Sequence, residues 1–223
     1  MGGNVALTGK KIRTSGIIVS RPVSFTFILI YFLQAFCIVW LIYQYIEHQK
    51  TITDQQKKIE ELEQKVKILD IIEEYQIGFN DQEVVTLTNV IFDESSKFGL
   101  DPLLILAVII SESSFRKHQV SEMGAEGLMQ LMPKTAQTVA AKWGIDWPQK
   151  EGLGNPGLNV RVGTAYLFEL ILEFKDVKRA ITAYNIGVGV TKEYAYFGAT
   201  PPARYYNKVK KIYQELRSRF EEK

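Results

Sequence analysis

Between Arg21 and Glu47 the chain runs for 25 residues without a charged side chain, PVSFTFILIYFLQAFCIVWLIYQYI. About 20 apolar residues suffice to cross a bilayer as a helix, and an unpaired backbone in lipid leaves a helix as the natural choice for one segment. Trp40, Tyr43 and Tyr45 near its far end suit the membrane–water boundary. The run is too long for the 7–15-residue apolar region of a cleavable signal, and no small residues follow it at a cleavage site. LQAFC ends in cysteine, as a lipoprotein signal does, but Phe36 is bulky where such signals need a small residue. The segment 22–46 is therefore read as an uncleaved anchor rather than a buried core helix. Residues 1–21 carry Lys10, Lys11, Arg13 and Arg21 and no acid. That excess of positive charge predicts a cytoplasmic N-terminus, a single pass, and everything after residue 46 on the outer side of the membrane.

Beyond the anchor, EHQKTITDQQKKIEELEQKVKILDIIEEY changes character. Ile52, Ile59 and Val66 fall seven apart, with Leu62 and Leu69 at the alternate positions and Gln55 breaking the first repeat. This is an a/d seam of about three heptads. It predicts a stalk over 47–77, roughly 45 Å long at 1.5 Å per residue. Two outcomes stay open, a single solvated helix and a homodimer.

Gly78 and Asn80 mark a break, and residues 78–223 read as one helical domain. Helical spacing runs over Thr86–Phe98. Gly99 is suited to a left-handed C-cap, Asp101 to an N-cap and Pro102 to a first helical position. Further helices are expected over 102–115, from near Pro133, over Asn159–Phe174, Val177–Tyr184 and Tyr205–Phe220. KWGIDWPQKEGLGNPG reads as a long loop in which Trp143 and Trp147 either anchor the loop or present their rings to a ligand. No alternating strand pattern of useful length is present, so the class is all-α with at most a short β-ribbon. The chain is 46% hydrophobic and 23% charged, globular in type. Its charge is nearly balanced after residue 21, so no nucleic-acid partner is expected. One cysteine, Cys37, and two histidines, His48 and His118, do not make a zinc site of the usual Cys/His kind.

One carboxylate stands out. Glu112 ends the apolar run LLILAVII, three and four residues after Ile109 and Val108. Burial disfavours its charged form, and so does a place at the negative end of a helix. Both raise its pKa, as a general acid requires. On these features alone Glu112 either serves as that acid or turns to solvent as the helix emerges.

The surrounding blocks decide between the two. Glu112-Ser113-x-Phe115 is followed by Gly124-Ala125-x-Gly127-Leu128-Met129-Gln130 and by Met132-Pro133-x-Thr135-Ala136. Asn159, Gly163, Tyr166 and Leu167 form the next block, then Ala183-Tyr184-Asn185-x-Gly187, then Tyr205-x-x-x-Val209. In this order and spacing, over about 81–215, the chain resembles the soluble lytic transglycosylase (SLT) domain of the goose-type lysozyme-like superfamily. It departs from the pattern at Arg116-Lys117, where Asn-Pro is frequent, and at Gln119, where Ala is usual. Tyr205 and Tyr206 compete for the last block.

The resemblance implies a lysozyme-like catalytic domain acting on peptidoglycan glycan strands. It implies cleavage of the MurNAc–GlcNAc bond without water, leaving a 1,6-anhydro sugar, with Glu112 as acid and then base. No metal and no organic cofactor is called for. Glu122, Glu126 and Asp101 lie near in sequence, but none occupies a family block as a second catalytic carboxylate. Ser113 is expected either to cap the helix or to bond a sugar. Met129 either lines an apolar sugar face or fills the core, and Gln130 offers its amide to an N-acetyl group or to the surroundings of Glu112. Tyr184, Asn185 and Tyr205 are expected at the site, with Asn159, Gly163 and Tyr166 supporting the fold. A hydrolytic muramidase and a non-catalytic glycan binder within an envelope-spanning assembly remain as alternatives.

Overall fold

A computed structural model describes residues 21–147 and 152–221. The chain divides into two units, 1–57 and 58–223. Helix α1, Arg21–Tyr75, supplies all of the described part of the first. Its apolar side chains from Phe25 to Ile46 are exposed along the helix. An 18-residue window reaches a mean hydropathy of 2.4, long and apolar enough to cross a membrane. The basic residues before Arg21 lie outside the described residues.

The second unit is all helix, apart from one 3-10 turn at Gly152–Gly154 and connecting loops. The end of α1 belongs to it. Ile68, Ile71 and Ile72 are buried in the core, so the last turns of the segment read as a stalk to residue 77 are packed against the following domain. About three heptads of seam had left a solvated helix and a homodimer open; Leu69 of that seam is half-buried against the core, while Ile59, Leu62 and Val66 are exposed.

Helix α2, Asp81–Phe98, starts from a reciprocal cap. Asn80 accepts from the Glu83 backbone at 2.9 Å, and the Asn80 backbone donates to the Glu83 carboxylate at 3.1 Å. Gly99 ends it in the left-handed conformation, φ 62°. Helix α3, Pro102–Ser113, is capped by Asp101, whose carboxylate accepts from the Leu103 backbone at 2.8 Å. These local signals match the sequence expectation. Leu103 and every residue from Ile105 to Ile110 are buried. A helix that is apolar all round must be enclosed on all sides, and α3 is accordingly central.

Helices α4, Pro133–Trp143, and α5, Pro156–Phe174, follow. Then come α6, Val177–Ile186, α7, Val188–Tyr196, and α8, Arg204–Glu221. Helix α5 packs on α2 and α6, and α8 packs on α3. Trp143 is held rather than presented. Its ring meets Phe98 and Phe168 edge-on, and its Nε1 donates to Glu169 at 2.7 Å. Trp147 is half-buried against the core, while residues 148–151 of the long loop lie outside the described residues. Helix α7 had no sequence signal because Gly189 and three β-branched residues, Val188, Val190 and Thr191, lower its propensity. Its buried Thr191, whose hydroxyl donates back to the Gly187 carbonyl at 2.9 Å, is tied in by tertiary packing.

In place of even a short ribbon, the described residues hold isolated bridges, Ile77 with Arg116, Val120 with Glu126, and Glu126 with Leu131. Gly124, Gly127 and Gln130, all at positive φ, turn the backbone too often for a strand to extend.

The loop 124–131 is fastened to α5 by one side chain. Asn159 is fully buried; its amide donates to the Glu126 carbonyl at 2.9 Å and the Leu153 carbonyl at 3.3 Å, and its oxygen accepts from the Met129 backbone at 2.8 Å. A Cβ on Gly127, φ 78°, would sit 2.1 Å from that amide, so only glycine fits. Asn159→Ala is expected to lower stability by about 2–4 kcal/mol, since buried partners lose their bonds. Urea unfolding of the full chain in detergent, followed by tryptophan fluorescence, measures it.

Candidate active site

Glu112 lies in the last turn of α3, where the chain leaves the core. Ser114 and Phe115 then adopt consecutive left-handed conformations, φ 49° and 57°. Phe115 is fully buried and anchors this turn. The backbone reverses within two residues and leaves the carboxyl of Glu112 half-buried. Non-glycine residues at positive φ are costly and persist where surrounding packing over-determines them.

Helix α8 supplies two partners one turn apart. The Tyr205 hydroxyl donates to Oε1 of Glu112. The Lys208 ammonium donates to the Ser111 carbonyl, one residue before Glu112. Lys208 therefore occupies the negative end of α3, where a cation is favoured. Burial raises the Glu112 carboxyl above its ordinary range, while the Tyr205 bond and the charge of Lys208 pull in the opposite direction. Burial prevails, so the acid retains its proton to higher pH than an exposed glutamic acid. Burial and the nearby Glu112 push the Tyr205 phenol well above its usual value, and it remains a donor near neutral pH.

Tyr184, on α6, is the third element. Burial, and after it the charge of Glu112, push its phenol well upward. Its hydroxyl donates to the Met129 carbonyl at 2.8 Å rather than to Glu112. Its ring lies 5.3 Å from that of Tyr166. Tyr184 thus clamps the glycine loop to the helices beside the carboxyl.

The remaining candidates fall into different places. The Ser113 hydroxyl is buried and donates to the Ile109 carbonyl at 3.2 Å, while Ser114 occupies the C-cap. Met129 is fully buried, its thioether set against Gly163, where an added Cβ would come within 2.3 Å of sulfur. It fills the core, and its backbone carbonyl does the positioning. The Gln130 amide donates to the Gln119 and Gly127 carbonyls, at 3.0 and 2.8 Å, and knots the loop upon itself. Asn185 is exposed near the end of α6. Tyr206 points elsewhere, its ring 5.8 Å from the Lys178 ammonium. Lys208 escaped the sequence reading; its signal was the three-residue spacing from Tyr205 on a helix. Among the described residues no group of three or more His, Cys, Asp or Glu is placed to hold a metal ion.

An apolar central helix thus ends in a half-buried carboxyl, with a glycine loop knotted beside it and a tyrosine returned by the last helix. Residues 89–200 match the transglycosylase SLT domain family, and the chain belongs to that family. Membrane-bound lytic murein transglycosylase C of Actinobacillus pleuropneumoniae serotype 5b (strain L20) is 38% identical over 105 residues, 43% of this chain and 29% of that protein. A transglycosylase of Enterobacteria phage PRD1 is 37% identical over 93 residues, 42% of this chain and 32% of that protein. The chain thus spans about a third or less of the length of these relatives. Among solved structures, an inactive mutant of the lytic transglycosylase Slt from Pseudomonas aeruginosa is similar, with a TM-score of 0.47 and 29% identity, over 57% of this chain and 22% of that one. The 70-kDa soluble lytic transglycosylase of Escherichia coli gives 0.47 and 22%, over 66% and 23%.

The raised Glu112 carboxyl has a signature in stability. The folded state keeps a proton that the unfolded state releases. Its contribution is therefore full below the ordinary glutamic-acid pKa and is lost as pH rises through the raised one. Glu112→Gln removes this loss. Thermal unfolding of both proteins between pH 4 and 8 is expected to show the variant gaining on the parent as pH rises, then holding a constant lead. Parallel curves would mean that Glu112 is solvated.

Proposed function

We propose that the chain is a membrane-anchored peptidoglycan lytic transglycosylase. The observation that carries the reading is the half-buried carboxyl of Glu112 at the end of the apolar helix, held by Tyr205 and raised above its ordinary pKa by burial. The relatives' names, which include lytic murein transglycosylase, support the same substrate class.

Glu112 donates its proton to the glycosidic oxygen between MurNAc and GlcNAc, and the C1–O bond breaks. The N-acetyl group of MurNAc assists at C1, a substrate-assisted route that removes the need for a protein nucleophile. The carboxylate so formed accepts the proton of the MurNAc 6-hydroxyl, whose oxygen closes on C1. The product is a 1,6-anhydro end, no water is consumed, and Glu112 regains its proton. Tyr205 and Lys208 stabilise the carboxylate between the two steps. Both oppose the effect of burial, so the carboxyl moves between its two forms without a large penalty on either. Tyr184 holds the Met129 carbonyl and with it the loop that borders the site.

The apolar part of α1 serves as the anchor, with the N-terminus cytoplasmic and the catalytic domain facing the wall. The long apolar helix and the words membrane-bound in the relatives' names support this. An anchored enzyme acts only on glycan within reach of the membrane, which suits local opening of the wall around an envelope-spanning assembly.

Purified sacculi digested with the full chain in detergent test the reaction. Mass spectrometry of the muropeptides is expected to find 1,6-anhydro ends. Reducing ends alone would identify a hydrolytic muramidase, and binding without release a non-catalytic glycan binder. Glu112→Gln is expected to slow release about 10²–10⁴-fold, the usual range for a lost general acid, with the fold intact by circular dichroism. Protease added to spheroplasts should remove the catalytic domain, while a tag on the N-terminus stays protected.

A further inference from the structure

Within the second unit, the end of α1 has two apolar faces. Ile68, Ile71 and Ile72 are buried in the domain, at 0, 7 and 0% exposure. Ile59, Leu62 and Val66 are 48, 51 and 57% exposed. At 100° per residue the mean directions of the two sets lie about 160° apart. Leu69, the last seam position, is half-buried against the same core, so the domain occupies one side of the helix and leaves the seam open from Ile59 to Val66 on the other. Ile52, at 45% exposure, continues the same heptad frame by count. So does Gln34, four heptads before Leu62 and inside the apolar run.

The flanking charges indicate what covers this seam. With Ile59 and Val66 at a and Leu62 at d, the g positions are Lys58 and Lys65 and the e positions are Glu63 and Asp70. In a parallel pair, g of one helix faces e of the next heptad in the other, so Lys58 meets Glu63 of a second copy. An antiparallel pair would set lysine against lysine and acid against acid. Lys58 is a surface group, 60% exposed, bonded at 2.9 Å to Glu61 of its own helix, and can exchange that partner. Lys65 is held at 2.7 Å by Glu61 and lies over the Phe92 ring, so it contributes less.

We propose that the chain pairs with a second copy of itself as a parallel coiled coil through Ile52, Ile59, Leu62 and Val66. The catalytic domains then face outward on opposite sides of the pair. Anchoring in one membrane, as read above, makes the two helices parallel. It also raises their effective concentration, which a seam this short, interrupted by Gln55, requires. Gln34 sits at a d position of the same frame, where a polar side chain within lipid finds its partner across the pair.

Disulfide capture in native membranes tests the pairing. Cys37 is the one cysteine of the sequence, so Cys37→Ser gives a clean background. Ile59→Cys places a thiol at a, and Lys57→Cys places one at f, on the far side. Mild oxidation is expected to yield at least about tenfold more dimer from Ile59→Cys, because a disulfide closes only when the Cα atoms lie within about 7 Å. Equal yields, or none from Ile59→Cys, overturn the proposal. In a second arm, Ile52→Cys reports pairing while Ile59→Asp and Val66→Asp place charge in the seam. Loss of the Ile52→Cys dimer, with an unchanged melting curve for the domain, supports the seam; persistence of that dimer overturns it. Neither readout involves peptidoglycan cleavage, and alkaline extraction of the same membranes reports separately on anchoring, so failure of those readings stays distinguishable from failure of the pairing.

Discussion

The contact between the C-terminal end of α3 and the start of α8 is the constraint on which the helical domain depends. Helix α3 is enclosed because its side chains are apolar in every direction. An enclosed helix has to emerge somewhere, and where it emerges its last carbonyls and any acid nearby lose water. Tyr205 and Lys208 meet that end, one bonding Glu112 and the other the Ser111 carbonyl. The carboxyl is then neither solvated nor abandoned. Burial moves it toward the neutral form, and the two partners keep the ionised form within reach.

The glycine loop is built to stand beside this end without supplying chemistry from its side chains. Asn159 satisfies backbone groups of Glu126, Met129 and Leu153, Gln130 ties the loop to itself, and Tyr184 takes the Met129 carbonyl. Three side chains that look polar enough for substrate binding are occupied by the backbone. What the loop exposes is a fixed main-chain surface, and Gly127 is required because its backbone lies against the Asn159 amide. The same division of labour appears in α1, whose last turns, Leu69 included, belong to the domain core while Ile59, Leu62 and Val66 stay outside it.

Much of this was legible in the residues themselves. The uncharged run of 25 residues, the caps at Gly99 and Asp101, the apolar nature of α3 and the isolation of Glu112 are properties of short stretches, set by local sterics and transfer free energy. Family membership was legible for a similar reason, since linked blocks preserve their spacing wherever the chain goes. Helix α7 was missed because Gly189 and the β-branched residues of its first turn carry little helical preference of their own.

Which of two adjacent tyrosines meets Glu112 was beyond the sequence. Tyr205 and Tyr206 differ by about 100° around α8, and only the docking of that helix on α3 turns the first toward the carboxyl and the second toward Lys178. Docking likewise turned the Met129 side chain into the core and its carbonyl to Tyr184, and set Lys208 against the end of α3. By itself the sequence determined that the chain has an apolar segment of membrane length, that helices would follow, and that one carboxyl would end a buried helix. Only the tertiary structure decided that carboxyl's partners. Hydrogen bonds between residues 93 and 97 positions apart depend on the angle at which two helices meet, and no local pattern encodes that angle.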